Sequence, residues 1–163
     1  MPERSVVKRA RQDEREGKSP STQAGEFVRE EIEHVREGKH GARSAKQAIA
    51  IGLSKARRAG VKLPPPQSGP EEVRRRAGRD SEKGKNPKAE APSRNRSRAV
   101  TNALKREGSQ AVSHKALSRQ AHDSAGRRTT EERSTAARKA VATKGAAGLK
   151  QAARKAARTR AGK

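Results

Sequence analysis

The clearest pattern in this chain is the helical spacing of apolar residues in two segments of its N-terminal half. The first segment runs from about residue 21 to 37, and its apolar residues fall three or four positions apart: Ala24, Phe27, Val28, Ile32 and Val35. Residues at this spacing lie on one face of an α-helix. The second segment runs from about residue 44 to 59, and a similar face holds Ala45, Ala48, Ile49, Gly52, Leu53 and Ala56. The pattern therefore predicts two amphipathic helices.

Capping residues flank the second segment. Ser44 and Gln47 stand in a capping-box pattern, and Gly60 follows where a left-handed C-cap is typical. The connection of about six residues between the two helices is a usual length for antiparallel neighbours. Because the first helix is acidic and the second is basic, antiparallel packing places opposite charges side by side. We predict a helical hairpin over residues 21–63, and we consider self-association through it because about forty residues seldom fold alone.

A proline block separates this hairpin from the rest of the chain. Pro64, Pro65 and Pro66 cannot continue a helix, because proline lacks the amide donor and restricts the residue before it. Composition divides the chain into five segments: a flexible N-terminal arm (1–20), the helical hairpin module (21–63), a linker rich in Pro, Gly and charged residues (64–96), weak helices (97–126) and a basic tail rich in Ala, Lys and Arg (127–163).

Composition adds an expectation of disorder. Val, Ile, Leu and Phe supply only 18 of the 163 residues, while 41 Lys and Arg against 18 Asp and Glu give a formal net charge of +23. Such a chain buries too little apolar surface to offset the entropy of ordering. We therefore expect a mostly α protein with extensive disorder: an N-terminal two-helix hairpin, a Pro-rich break and a basic, weakly helical C-terminal region. We expect the tail to be disordered when free and partly helical on an anion.

Several functional classes find no support in the residues. The chain has no cysteine, which leaves no thiol nucleophile, disulfide or Cys-ligated zinc. No apolar run approaches the roughly 18 residues that a membrane span needs. No Gly-rich phosphate loop is present. We predict a protein that is not an enzyme, binds no cofactor and no small-molecule substrate, and does not enter a membrane.

The four histidines give no sign of a metal site. His34 and His40 are six residues apart, and His114 and His122 are eight apart, so neither pair has the spacing of ligands on one helix face or one turn. We therefore predict solvent-exposed histidines, with no metal ligand and no catalytic residue.

Positive charge in the tail is the strongest functional signal. No acid follows Glu132, while the part of the tail after Glu132 contains ten bases: Arg133, Arg138, Lys139, Lys144, Lys150, Arg154, Lys155, Arg158, Arg160 and Lys163. Lys and Arg bind phosphates by releasing condensed counterions, which requires charge density rather than a fold. The alternative is a solvated tail that only keeps the protein in solution. We favour polyanion binding because no carboxylate relieves the ten bases.

A second basic cluster falls at the end of the second predicted helix. It consists of Lys55, Arg57, Arg58 and Lys62. Two interpretations stay open. These residues would either contact nucleic acid, or pair with the acidic helix and favour the C-terminal end of the helix dipole.

The scarcity of aromatic residues narrows the mode of binding. The chain has no Trp, no Tyr and only Phe27, which the apolar pattern places in the hairpin core. Proteins that bind single strands stack bases on aromatic side chains. We therefore favour binding to duplex DNA through its phosphates, without sequence specificity. The alternatives are an RNA- or ribosome-associated basic protein that uses the same tail, and a protein-interaction module built on the hairpin.

Two stretches resemble known proteins. Residues 41–63 read GARSAKQAIAIGLSKARRAGVKL and resemble the core of a family of small basic bacterial proteins of uncharacterised function. That family has a Ser-x-Lys-Gln-Ala-Ile-Ala-Ile-x-Leu-Ser-x-Ala-Arg-Arg-Ala-like signature, here Ser44 to Ala59, with Gly52 where many members have Ala. The tail at 136–163 is similar in composition to histone H1-like tails. Together the resemblances imply a bacterial protein with a small helical module and a DNA-associating tail. Our leading hypothesis is a histone-like, nucleoid-associated protein in the bacterial cytoplasm.

Overall fold

The computed structural model describes residues 2–67, 69–86 and 93–162, and this part of the chain is 77% helical. Seven α-helices lie in it: α1 (Arg4–Arg15), α2 (Pro20–Arg36), α3 (Ala45–Arg58), α4 (Glu71–Lys85), α5 (Arg94–Lys105), α6 (His114–Gly126) and α7 (Thr130–Ala161). A single 3-10 turn, Gln110–Val112, precedes α6. The chain forms two compact units, residues 1–120 and residues 121–163. The division into five segments by composition stays a prediction.

Helices α2 and α3 pack against each other and form the centre of the first unit. Their bounds agree with the predicted segments to within one residue. Ser44 caps α3 as its sequence suggests, because its side chain accepts a hydrogen bond from the Gln47 amide at 3.2 Å. Gly60 follows α3 with φ of 95°, a left-handed conformation that glycine adopts without strain. Phe27 is fully buried between these helices and α1, together with Ala24 and Ala56.

The expectation of extensive disorder is wrong, and α1 shows one reason. This helix lies within the segment predicted as a flexible arm. Val6 and Ala10 bury one face of α1 against the α2–α3 pair. Polar contacts to α2 add to this small apolar face: the Glu3 amide donates to Glu30 Oε1 at 2.6 Å, and Arg9 Nε donates to Glu26 Oε2 at 2.7 Å. Composition counts large apolar residues and so misses this kind of support.

Helix α4 lies within the segment predicted as a linker. It packs on α3 with few apolar groups, of which Ala77 is buried. Asp80 holds the two helices together, because its buried carboxylate accepts hydrogen bonds from Ser54 Oγ at 2.6 Å and from Arg58 Nε at 2.7 Å. Gly84 lies so close to the Arg57 carbonyl that a Cβ atom would overlap it. One carboxylate and one glycine thus dock a helix that hydropathy alone does not reveal.

Residues 104–112 complete the first unit on the other side of the α2–α3 loop. The Gly41 amide donates to the Leu104 carbonyl at 2.9 Å, and the Ala42 amide donates to the Gly108 carbonyl at 3.2 Å. Val112 is fully buried in a second apolar cluster with Val35, Ala42 and Ala48. The core of this unit is therefore built from segments on both sides of the proline block.

The second unit contains α7, which covers the part of the chain expected to be disordered. A capping box starts this helix: Thr129 Oγ1 accepts from the Glu132 amide at 3.1 Å, and Glu132 Oε2 accepts from the Thr129 amide at 2.9 Å. Alanine, lysine and arginine, which dominate α7, have high helix propensity. The helix is interrupted at Gly145, where φ is 63° and ψ is 175°. A weakly helical, disordered tail is therefore the wrong description of residues 130–161.

Candidate nucleic-acid interface

Helix α7 presents most of the bases predicted to bind phosphate. Arg133, Arg138, Lys139 and Lys144 precede the interruption at Gly145, and Lys150, Arg154, Lys155, Arg158 and Arg160 follow it. All nine side chains are exposed. Lys163, the tenth predicted base, lies outside the described residues.

The second half of α7 carries a basic row. Lys150, Arg154 and Arg158 are spaced four residues apart, and because each residue advances about 100° around the helix, they share one side. Ala152 and Ala156 lie on the opposite side of the helix. The helical backbone thus gives this row a fixed direction that a disordered tail would lack.

The bases of α7 have no acidic partner within the described residues. Across the described ranges, none of the nine makes an ion pair within 4.0 Å. The nearest acids along the helix are Glu131 and Glu132 in its first turn, and Glu132 is engaged in the capping box. The positive charge of α7 is therefore available to an external anion.

The second predicted cluster behaves differently, because two of its four members pair with buried acids. Lys55 Nζ lies 2.7 Å from Glu31 Oε2 and 3.7 Å from Glu30 Oε2 on α2. Arg58 is the residue that pairs with Asp80 on α4. These contacts follow the interpretation in which the bases pair with acids inside the protein.

Arg57 and Lys62 lie at opposite extremes of exposure. Arg57 is buried, and it donates from Nε to the Leu63 carbonyl at 3.3 Å and from Nη2 to the Pro64 carbonyl at 3.1 Å. Burial lowers the pKa of the Arg57 guanidinium below its ordinary value. The Lys62 side chain is 84% exposed and lies 3.4 Å from Glu14 Oε1. Of the four bases, Lys62 is the one best placed to reach a polyanion.

Sequence reasoning missed a buried cluster formed by two acids and a histidine of α2 and a histidine of the loop that follows. The side chains of Glu30 and Glu31 are 3% and 0% exposed, and those of His34 and His40 are 14% and 15% exposed. The prediction of solvent-exposed histidines is therefore wrong for these two. The signal was a Glu-x-x-His spacing from Glu31 to His34, which places both side chains on one helix face.

One comparison with known proteins finds a match. Residues 15–67 match a family described as a family of unknown function (DUF6496). The matched range contains α2, α3 and the buried cluster, and the resemblance found at residues 41–63 falls inside it. No curated protein and no solved structure matches the chain. Among the described residues, no helix is both long and apolar enough to cross a membrane.

Proposed function

We propose that this protein is non-enzymatic and histone-like, associates with the bacterial nucleoid, and binds duplex DNA by neutralising its phosphates. The observation that carries the proposal is the set of nine exposed bases on α7, which have no ion-pair partner among the described residues. All nine follow Glu132, the last acid of the sequence. Duplex DNA carries dense negative charge and a condensed layer of counterions. A helix that displaces those ions gains affinity without contacting the bases.

The burial of Phe27 favours duplex DNA over single-stranded nucleic acid as the partner. Phe27 is the only aromatic residue of the Phe, Tyr and Trp class in the chain, and it is fully buried. It is therefore unable to stack on an unpaired base, which is the usual contact in single-strand binding. Arginine and lysine contacts to the phosphates are the interaction that this surface offers.

The first unit has a supporting part in this proposal. Lys55, Arg57 and Arg58 are used for internal contacts, so DNA contact concentrates on α7 and the unit supplies a folded body to which α7 is linked. Lys62 adds an exposed charge to that body. In this proposal the main DNA contact is therefore α7 and not the cluster at the end of α3.

The salt dependence of binding tests the mechanism. Fluorescence anisotropy with the full chain and a labelled duplex would measure affinity between 50 and 200 mM salt. If six to ten bases engage phosphates, affinity should fall roughly 10³- to 10⁵-fold over this range. The triple substitution Lys150→Gln, Arg154→Gln and Arg158→Gln removes the basic row, and should reduce the slope of log affinity against log salt by about 2.7, since each contact contributes about 0.9.

A matched control keeps the number of removed charges equal. Arg74, Arg75 and Arg79 are exposed on α4, and their substitution by Gln should leave the slope near that of the parent protein. Equal effects of the two triple variants would show that net charge, and not α7, governs binding. Absence of binding in dilute buffer would overturn the proposal.

Competition with structured RNA of equal length distinguishes a DNA-binding protein from an RNA-binding protein. Stronger binding to RNA than to duplex DNA would make RNA the partner.

A further inference from the structure

A histidine from the α2–α3 loop meets a Glu-x-x-His pair on α2. Glu31 and His34 lie on one face of the helix, and His40 reaches them from the loop that follows. One ligand atom from each of these three residues lies within 4.8 Å of the other two. The two imidazole rings have centroids 6.2 Å apart and are nearly perpendicular, at 81°. The fold thus brings His40 to the Glu31–His34 pair, a placement that spacing in sequence does not suggest.

The Glu31 carboxylate is buried without a hydrogen bond. Its side chain has no exposed surface, and neither oxygen has a hydrogen-bond partner of acceptable geometry among the described residues. Lys55 Nζ lies 2.7 Å from Oε2, but outside the angles that a hydrogen bond requires. Glu30 Oε2 is also buried without such a bond. Two buried carboxylates therefore share one lysine, and buried charge of this kind demands further compensation.

His40 offers a nitrogen lone pair to this carboxylate. Its Nδ1 lies 3.1 Å from the Gly41 carbonyl oxygen, which only accepts, so Nδ1 carries the proton. In the neutral ring, Nε2 is then an acceptor, and it lies 3.4 Å from Glu31 Oε1. With the ring neutral, two acceptors face each other, and either a shared proton or a bound cation relieves their repulsion. A backbone carbonyl that fixes the tautomer of a histidine is also the usual support for a metal ligand.

We propose that Glu31, His34 and His40 bind a divalent transition-metal ion, for which Zn²⁺ is the best fit. Zn²⁺ takes imidazole nitrogen and carboxylate oxygen ligands at about 2.0–2.2 Å in tetrahedral geometry. Ligand atoms at two corners of such a tetrahedron are about 3.4 Å apart, and His40 Nε2 and Glu31 Oε1 have this separation. Three protein ligands leave the fourth position to water.

A second group of three potential ligands, Glu3, Glu30 and His34, fits the ion less well. The Glu3 side chain is 55% exposed and also lies 3.7 Å from Lys39 Nζ. Its Oε1 lies 3.4 Å from His34 Nε2. Glu3 is therefore better placed as an outer partner that orients His34, the part that carboxylates play around metal-bound histidines.

Metal titration of the untagged full chain tests the site. Calorimetry with Zn²⁺ should show one saturable equivalent per chain. Co²⁺ should give the intense visible absorption of a tetrahedral complex, and X-ray absorption of the Zn²⁺ form should show two imidazole ligands. The last two measurements use the unsubstituted protein, so they test the proposal even if a variant fails to fold.

Variants assign the ligands. His40→Ala should weaken Zn²⁺ binding at least tenfold, because loss of a direct ligand should cost no less than the 10- to 100-fold typical of outer partners. His114→Ala and His122→Ala are the matched controls, since both histidines are exposed on α6 and belong to neither cluster. They should bind like the parent protein. Zn²⁺ binding that does not saturate, that lacks imidazole ligands, or that survives in His40→Ala would overturn the proposal.

Discussion

Arg58 and Asp80 join α3 to α4 through a short ion pair, in which Nε donates to Oδ1 at 2.7 Å and the carboxylate is almost fully buried. Ser54 Oγ donates to the other oxygen of Asp80 at 2.6 Å. Both carboxylate oxygens are thereby satisfied. Together with the close approach at Gly84, Asp80 explains how a helix of mostly charged residues stays docked on the hairpin.

Substitution of Asp80 should therefore destabilise the first unit. Asp80→Ala removes two hydrogen bonds to a charged group and leaves Ser54 and Arg58 without a partner, at a cost of about 2–3 kcal/mol in the free energy of unfolding. Glu82→Ala on the same helix is the control, because Glu82 pairs with Lys85 at a solvent-exposed site, and such pairs contribute about 0–1 kcal/mol. Urea unfolding followed through the buried Val6 and Val35 methyl signals measures both. Equal stability of the two variants would mean that α4 is not docked through Asp80.

Gly52 sets how closely α2 and α3 approach. A Cβ atom at this position would lie 2.7 Å from Val28 Cα and 3.0 Å from the Phe27 carbonyl oxygen. Gly52→Ala should therefore force the helices apart and cost about 1–3 kcal/mol. Gly25→Ala is the matched control, since Gly25 is an exposed residue of α2 with no atom near its Cβ position. That change should stabilise the protein by up to about 1 kcal/mol through helix propensity.

Opposite signs for these two Gly→Ala changes, measured as shifts of the urea midpoint, are the expected result. Stabilisation by Gly52→Ala would contradict the close packing of α2 on α3.

The capping box of α7 predicts a local effect of a threonine substitution. Thr129→Ala removes the side-chain acceptor for the Glu132 amide and should cost about 1 kcal/mol of helix stability. The backbone chemical shifts of residues 130–133 should move toward random-coil values in the free protein. Thr130→Ala makes the same chemical change one position later, outside the cap, and should leave these shifts largely unchanged. Similar spectra for both variants would show that α7 does not depend on this cap.

Glu16 predicts a pH effect at the end of α1. A hydrogen bond from Lys18 Nζ, which lies 2.8 Å from Glu16 Oε2, and one from Gln12 lower the pKa of Glu16 below its ordinary value of 4.5. A lowered pKa means that the folded state binds the proton more weakly than the unfolded state. The pair therefore stabilises the fold fully above about pH 4.5 and loses this contribution as pH falls through the folded pKa.

Lys18→Gln should move the titration midpoint of Glu16 upward toward 4.5, as followed by carbon NMR of the side-chain carboxyl. Lys8→Gln removes an exposed charge from α1 that makes no ion pair within the described residues, and it should leave the midpoint of Glu16 nearly unchanged. A midpoint that ignores Lys18→Gln would exclude the pair as the cause.

The amphipathic pattern was sufficient to locate α2 and α3, because both helices bury a continuous apolar face. It placed Phe27 in the core and Ser44 at the start of α3 correctly. It failed for α1, which has only a small apolar face supported by contacts such as Glu3 with Glu30, and for α4, which docks through contacts such as Arg58 with Asp80. Such contacts join residues more than 20 positions apart, and local periodicity holds no information about them.

The two candidate sites, the bases of α7 and the buried cluster of Glu31, His34 and His40, also differ in how far the sequence predicts them. Exposed charge is a property of composition, so the bases of α7 were identifiable in advance. Thr129 and Glu132 also have the spacing of a capping box in the sequence. The prediction for the tail did not use this signal, because the low apolar content of this segment indicated disorder. The Glu31, His34 and His40 cluster required the fold itself, because a helix end and a turn lie between His34 and His40. A spacing rule for one helix face does not apply across such a break.

The non-helical conformation of Gly145 divides α7 into two helical segments. An uninterrupted helix of 32 residues would be a straight rod of about 48 Å. The phosphate backbone of a duplex winds around its axis, so a straight rod contacts it only over a short length. Two helical segments of half that length, joined at Gly145, are able to contact the duplex at two separate places. Under the proposed function, α7 therefore follows the path of a duplex backbone by turning at Gly145, while the helical turns on either side stay intact.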